Sequence, residues 1–205
     1  MDDIFHDGNR QLQDRFDTRR LADDLQFFIV KDSISSDDKA FIEDLDMLFM
    51  ATVDNQGQVN CSYKGGDPGF VRVLDEHTIA FPNYDGNGMY MSMGNVLQTG
   101  QVGLLLINFE KQRRMRLNGT ATLHYDDPLL AEYPEAKFIV RVHAREVFPN
   151  CPRYIHKMQL VERSRFVPKS GCETPVPAWK AGLTEKDILP HDDPAYDSSR
   201  EILDR

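Results

Sequence analysis

Phe81-Pro82-Asn83-Tyr84-Asp85-Gly86-Asn87-Gly88-Met89-Tyr90-Met91-Ser92-Met93-Gly94-Asn95 is the stretch from which the rest of the chain can be read. It leaves a β-prone run, Thr78-Ile79-Ala80-Phe81, turns on Pro, Asn, Asp and Gly, and enters a helix-compatible segment. A polar turn feeding a helix leaves the first helical N–H groups without intrahelical partners, an arrangement that suits an anion and above all a phosphate. Asn83, Asn87, Ser92 and Asn95 add side-chain hydrogen-bonding groups, and Gly86 and Gly88 let a ligand come close to the backbone. A second polar stretch, Cys61-Ser62-Tyr63-Lys64-Gly65-Gly66-Asp67-Pro68-Gly69, can be laid beside this corner by a strand pair.

Short strands surround the corner. Met47 to Val53 is a continuous β-prone run, Asp54-Asn55-Gln56-Gly57 is a hairpin turn, and Gln58 to Lys64 returns. Phe70 to Leu74 and Thr78 to Phe81 follow, then a helix from Met89 to Thr99 that stops at Gly100. Gln101 to Asn108 is apolar enough for burial on both faces. Arg113 to Tyr125 is a long strand with Arg114 and Arg116 on one side and Met115 and Leu117 on the other. Asp126 to Glu135 is a connection with room for a short helix, and Lys137 to Phe148 is the last strong strand. Strands this short and closely spaced favour an antiparallel barrel or sandwich over βαβ units.

The flanks differ in character. In residues 10–30, Leu12, Phe16, Leu21, Leu25 and Phe28 recur at helical spacing among charges. Ser35-Ser36-Asp37-Asp38 supplies caps for a second short helix carrying Ala40, Phe41 and Leu45. Past Asn150-Cys151-Pro152-Arg153-Tyr154 the chain reads as helical to about Glu162, and residues 168–205 as an irregular, proline-rich and acidic tail, docked or disordered. The organisation expected is therefore an N-terminal helical segment (1–35), a strand-rich domain (36–167) and the tail (168–205), the tail docking on the barrel or on a partner subunit.

The 205 residues carry 28% charged and 40% hydrophobic side chains and a net charge of −9. That balance suits a real core and argues against a nucleic-acid footprint, while leaving room for a local cationic phosphate site. The acidic start Met1-Asp2-Asp3 is unlike a signal peptide, no apolar run spans a bilayer, and Cys61, Cys151 and Cys172 form no Cys-x-x-Cys pair. A cytoplasmic protein without membrane partners is expected. The six histidines lack ligand spacing, so no metal is expected, and no Walker loop, Gly-x-Ser-x-Gly or Gly-x-Gly-x-x-Gly motif occurs.

Taken together, these stretches resemble the pyridoxamine 5′-phosphate oxidase-like flavoproteins, the FMN-binding split barrels. The resemblance rests on Phe49 to Gly57, Ser62 to Val73, Phe81 to Gly88, Gly94-Asn95-Val96, Val102-Gly103-Leu104-Leu105 and Arg114 to Gly119, and covers roughly residues 40–155. It implies a mainly β (β + α) fold, an antiparallel split β-barrel of six to eight strands with flanking helices, homodimeric, with FMN between two subunits. It also implies flavin contacts from Ser62, Tyr63, Lys64, Asn83, Tyr84, Asn87, Gly88, Met89 and Arg114, with Arg114 the candidate cation beside the ring. Arg72, Ser92, Asn95 and Arg116 join them as cofactor-binding candidates, and Arg153 and Tyr154 as substrate contacts; no catalytic residue is identified.

The sequence also departs from that family. Gly86-Asn87-Gly88 stands where the phosphate oxidases carry Ser-Arg-Lys, and Ser62 where they carry an arginine. Lys64, Arg72, Arg116 or Arg153 could replace the lost charge, but pyridoxamine phosphate itself is disfavoured as substrate, and Trp179 and His191 are weak stand-ins for the family's carboxyl-end Trp and Arg-x-His signature. The expected function is an FMN-dependent oxidoreductase acting on a small aromatic or conjugated molecule. The alternatives are a non-enzymatic FMN or haem carrier or sensor on the same barrel, and an interaction protein without cofactor. Cys151 reads as a structural cysteine in preference to a nucleophile, since no histidine is tied to it by spacing.

Overall fold

The computed structural model describes residues 3–204, so Met1 and Asp2 of the acidic start lie outside the described residues. The strands are β1 (Met47–Val53), β2 (Val59–Gly65), β3 (Arg72–Val73), β4 (Thr78–Asn83), β5 (Gln101–Asn108), β6 (Arg113–His124) and β7 (Phe138–Pro149). They form one seven-stranded sheet in the order β2-β1-β5-β6-β7-β4-β3, every pair antiparallel. Its outermost strands β2 and β3 do not pair, so the barrel is split, as the family resemblance implies.

Local chemistry explains the corners. Asp54 Oδ1 accepts from the backbone N–H groups of Gln56 and Gln58 at 2.8 Å each, and Gly57 takes the left-handed conformation that closes the β1–β2 hairpin. Strand alternation then sends Leu48, Met50, Leu104, Leu106, Met115 and Leu117 inward, where they meet Phe81, Ile139 and Ile42. β5 is less enclosed than its composition suggests: Gly103 and Leu105 remain half-buried on the outer face. At Asn118/Gly119 the β6–β7 register slips by a bulge.

Three helices precede the sheet. The stretch read as one helix over residues 10–30 is two, α1 (Asp7–Arg15) and α2 (Arg19–Ile29), broken where Asp17 turns to φ 51°. Neither buries a residue. α3 (Ser36–Glu43) starts with a reciprocal cap between Ser35 and Asp38 and sets Phe41 and Ile42 into the core. α4 (Met91–Thr99) lies against β1 and β2 and ends at Gly100, φ 67°.

Two other expectations are corrected. Residues 155–163 form no helix or strand: Met158 N–H donates to Phe109 O and Leu160 N–H to the Glu110 carboxylate, so these backbone bonds go to the β5–β6 turn. The strand expected over Phe70–Leu74 shrinks to Arg72–Val73 because Phe70 N–H closes a turn on Asp67 O at 2.9 Å. The connection after β6 holds a 3₁₀ turn, Pro128–Glu132, capped by Asp127.

The tail carries β8 (Val176–Pro177), α5 (Ala178–Ala181) and β9 (Ile202–Leu203), with β8 and β9 paired in parallel. It touches the barrel side through Arg200–Glu135 at 3.4 Å and through Lys180. Among the described residues no helix is long and apolar enough to cross a membrane.

Candidate functional site

β2 is an edge strand, so one side of its backbone keeps unpaired N–H and C=O groups. Its side chains alternate. Asn60, Ser62 and Lys64 share a face with Leu48, Met50 and Thr52 of β1, the face that α4 covers. Cys61 and Tyr63 point the other way with Phe49.

On the α4 side the contacts are specific. Ser92 Oγ lies 3.0 Å from Ser62 Oγ and 3.3 Å from Asn60 Oδ1, and Asn95 Nδ2 donates to Thr52 Oγ1 at 3.1 Å. The first turn of α4 therefore rests on the middle of β2. Tyr90, at its N-cap, has φ 48° and no side chain caps the turn. A bulky residue in that region costs about 1–3 kcal/mol, so the surrounding structure must impose it. The uncapped start leaves α4 N–H groups available to an acceptor.

Lys64 lies one strand repeat, about 7 Å, beyond Ser62. Its side chain makes no hydrogen bond or ion pair among the described residues, and burial pulls its ammonium below the usual lysine range. A half-buried cation without a counter-charge, beside hydroxyls and free amides, is a ready anion site. The loop from Tyr84 to Tyr90 leads into the same helix start, with Asn87 Oδ1 accepting from Met89 N–H at 3.0 Å and Gly88 at φ 75°.

The remaining candidates fall elsewhere. Tyr63, Arg114 and Arg116 lie on the opposite face of the sheet, where register places Tyr63, Phe49, Leu105, Arg116 and Phe148 in one row. There Phe49 and Tyr63 meet edge to face at 5.9 Å, and burial raises the Tyr63 phenol. Arg114 Nη2 donates to Cys151 O at 2.8 Å, while its shielded Nε has no acceptor. Arg153 Nε donates to Cys151 Sγ at 3.1 Å, and Tyr154 is 84% exposed.

Asn83 is buried and spends its amide on Tyr84 O. Tyr84 is half-buried against the core; burial, with Tyr133 and Asp67 adding, pushes its phenol up to about 12. Arg72 is engaged with Glu132 at 3.3 Å. One chain thus gathers Ser62, Lys64, Ser92, Asn95 and the 84–90 loop around the start of α4, and keeps Tyr63, Arg114, Arg116, Arg153 and Tyr154 on the far face.

Three features escape sequence reasoning. Asn60 joins the Ser62–Ser92 contact, which only the β1–β2 register reveals. Asp85 is bound by Lys180 from the tail, a pairing no local motif announces. Cys151 does not start a helix; its thiol is instead held below its ordinary range by the backbone N–H and guanidinium of Arg153. Among the described residues no cluster of His, Cys, Asp and Glu could hold a metal ion.

A single antiparallel sheet open between β2 and β3, with helices at its flanks, defines a fold of the split-barrel class. Residues 35–163 match the family model described as pyridoxamine 5′-phosphate oxidase, and the chain belongs to that family. Among curated proteins none matches the chain.

Solved structures to which the chain is similar include HupZ of Group A Streptococcus, 19% identical, with TM-score 0.46 over 62% of this chain and 99% of that one. An FMN-binding protein from Syntrophomonas wolfei is 11% identical, with TM-score 0.45 over 68% and 97%. HutZ, the haem storage protein of Vibrio cholerae, is 18% identical, with TM-score 0.38 over 58% and 91%.

Proposed function

We propose that the chain binds FMN along the free edge of β2 and serves as an FMN-dependent oxidoreductase for a small aromatic or conjugated molecule. The observation that carries this reading is Lys64, an unpaired, half-buried cation on the β2 face that the uncapped start of α4 touches through Ser62 and Ser92. Such a set of donors matches a phosphate monoester: charge from Lys64, hydroxyls from Ser62 and Ser92, and backbone N–H groups from α4.

The opposite face supplies what a flavin ring requires. Tyr63 offers an aromatic surface, and Arg114 holds a shielded Nε with no acceptor, an orphan donor that a ring carbonyl or nitrogen satisfies. When bound, the flavin supplies electron transfer; the chain binds it, orients it and excludes water. Family membership supports a flavin, and the loss of the arginine and lysine that the resemblance expects over Gly86–Gly88 supports a substrate other than pyridoxamine phosphate.

The reading includes a homodimer. The outer row of Tyr63, Phe49, Leu105 and Phe148 is largely apolar, with Tyr63 and Arg116 exposed and the other three half-buried in one chain, and a second copy closing on it would enclose Arg114 beside the ring.

A second reading, a flavin carrier without turnover, is favoured by one observation. Around the α4 start, Lys64 is held by no counter-charge and the Asp85 carboxylate is taken by Lys180, so neither is set up as a proton-transfer group for a substrate. Titration of the purified chain with FMN, followed by flavin fluorescence, tests both readings at the binding step. Saturable uptake that Lys64→Met weakens about tenfold, with riboflavin little affected, is expected for one charge-assisted phosphate contact. Steady-state reduction of bound flavin by NADPH in the presence of quinones separates enzyme from carrier. Failure to take up FMN rejects both.

A further inference from the structure

Lys180 belongs to α5 in the tail, yet only 5% of it is exposed. A lysine is buried that deeply only when its charge is matched. Its Nζ donates to Asp193 Oδ2 at 2.7 Å and to Asp85 Oδ2 at 2.5 Å. The two carboxylates are not equivalent. Asp193 comes from the same tail, is 2% exposed at its side chain, and its other oxygen accepts from Ala195 N–H at 3.0 Å. Asp85 comes from the loop beside α4 and is 47% exposed.

Burial alone would pull the Lys180 ammonium down, but its hydrogen bonds to Asp193 and Asp85 outweigh that and hold it above the ordinary lysine value. Burial likewise pushes the Asp193 carboxyl up, and Lys180 brings it below the usual range. The tail therefore completes one ion pair within itself and extends a further N–H arm to the loop.

That arm is significant because the loop has little else. Between Asp85 and Met89 the other side-chain bond is local, from Met89 N–H to Asn87 Oδ1, and the Lys180 contact is the tie to a distant part of the chain among the described residues. The same loop carries a carboxylate two residues before Asn87, close to where an anion would dock. A free carboxylate within the roughly 8–10 Å Debye length of physiological salt repels an incoming phosphate.

We propose that Lys180 is a positioning residue for anion binding: it anchors the Asp85–Met89 loop beside the start of α4 and neutralises Asp85, so that the tail completes the site. The proposal rests on the reading of this corner as the FMN phosphate site.

Two kinds of measurement test it. The first is amide hydrogen exchange without ligand. Asp85→Ala leaves the Lys180–Asp193 pair in place, so exchange should quicken over Gly86 to Met91 and stay unchanged in the tail. Lys180→Met should quicken both, since it leaves Asp193 in the interior without a partner. Unchanged exchange over Gly86 to Met91 in both variants overturns the proposal.

The second is a double-mutant comparison of affinity for FMN and riboflavin. Lys180→Met is expected to weaken FMN about tenfold with little effect on riboflavin, the size of one charge-assisted contact. Adding Asp85→Asn should restore part of that loss, because the unmatched carboxylate is gone. Equal losses for FMN and riboflavin, or no recovery in the double variant, mean a merely structural role and overturn the proposal. A wild-type chain that takes up neither flavin overturns the FMN reading and the anion part of this one, and hydrogen exchange still decides whether the tail holds the loop.

Discussion

Ser92 Oγ lies 3.0 Å from Ser62 Oγ, joining the first turn of α4 to the middle of the edge strand β2. Thirty residues separate the two side chains, and the same Ser92 hydroxyl reaches Asn60 Oδ1 at 3.3 Å. This contact holds the helix start over the strand face that carries Lys64.

Ser92→Ala should therefore act twice. Removing a 5%-exposed hydroxyl leaves Ser62 and Asn60 without that partner, a loss of about 1 kcal/mol in stability by urea unfolding. The helix start should also loosen, so FMN affinity should fall more than riboflavin affinity. A variant with wild-type unfolding and wild-type affinity for both ligands would separate the contact from the site.

Association of two copies is the second expectation. Phe49 packs edge to face on Tyr63 and sits half-buried in the outer row with Leu105, while Val59, on the same face of β2 as Tyr63, is 85% exposed. Sedimentation should give a dimer for the wild type and a monomer for Phe49→Glu with unchanged far-ultraviolet dichroism, and the monomer should bind FMN more weakly. A wild type that sediments as a monomer at micromolar concentration refutes the dimer.

Gly119 tests the bulge. A Cβ built there would stand 2.0 Å from His143 O, so no side chain fits without moving the β6–β7 backbone. Gly119→Ala should lower stability by about 1–3 kcal/mol, read as a lower urea midpoint at unchanged slope.

Asp127 gives a pH prediction. Its side chain, 1% exposed, accepts from Arg141 Nε at 2.6 Å and Nη2 at 3.1 Å, and caps the 3₁₀ turn through Leu129 N–H. The Arg141 guanidinium holds the carboxyl below its ordinary value. A carboxylate depressed in the folded state contributes stability above its unfolded pKa, about 3.9, and loses it as the pH falls through the lower folded value. Asp127→Asn should cost about 2 kcal/mol at neutral pH. It should also flatten the decline in stability below about pH 4 that the wild type shows.

Much of the barrel was legible because its signals are local. Alternation in Arg113–His124, the Asp54–Gly57 turn and the Gly100 stop each act within a few residues, so most of the strands follow from local pattern, while the split-barrel class follows from the family resemblance. The 155–163 segment misled because its apolar spacing permits a helix, while its backbone bonds are taken by the β5–β6 turn.

The site was legible only in part, and for the same reason. Residue types over Ser62–Lys64 and Asn83–Asn95 already marked a polar corner suited to a phosphate. Period-two alternation then divided neighbours in β2, sending Ser62 and Lys64 toward α4 and Tyr63 toward the outer face with Arg114 and Arg116. Which of them can act together depends on register across five strands, and Lys180 reaches Asp85 over 95 residues of chain. A buried ion pair of that kind comes from the cost of leaving a charge unmatched in the interior, which exists only once the tail has folded onto the barrel.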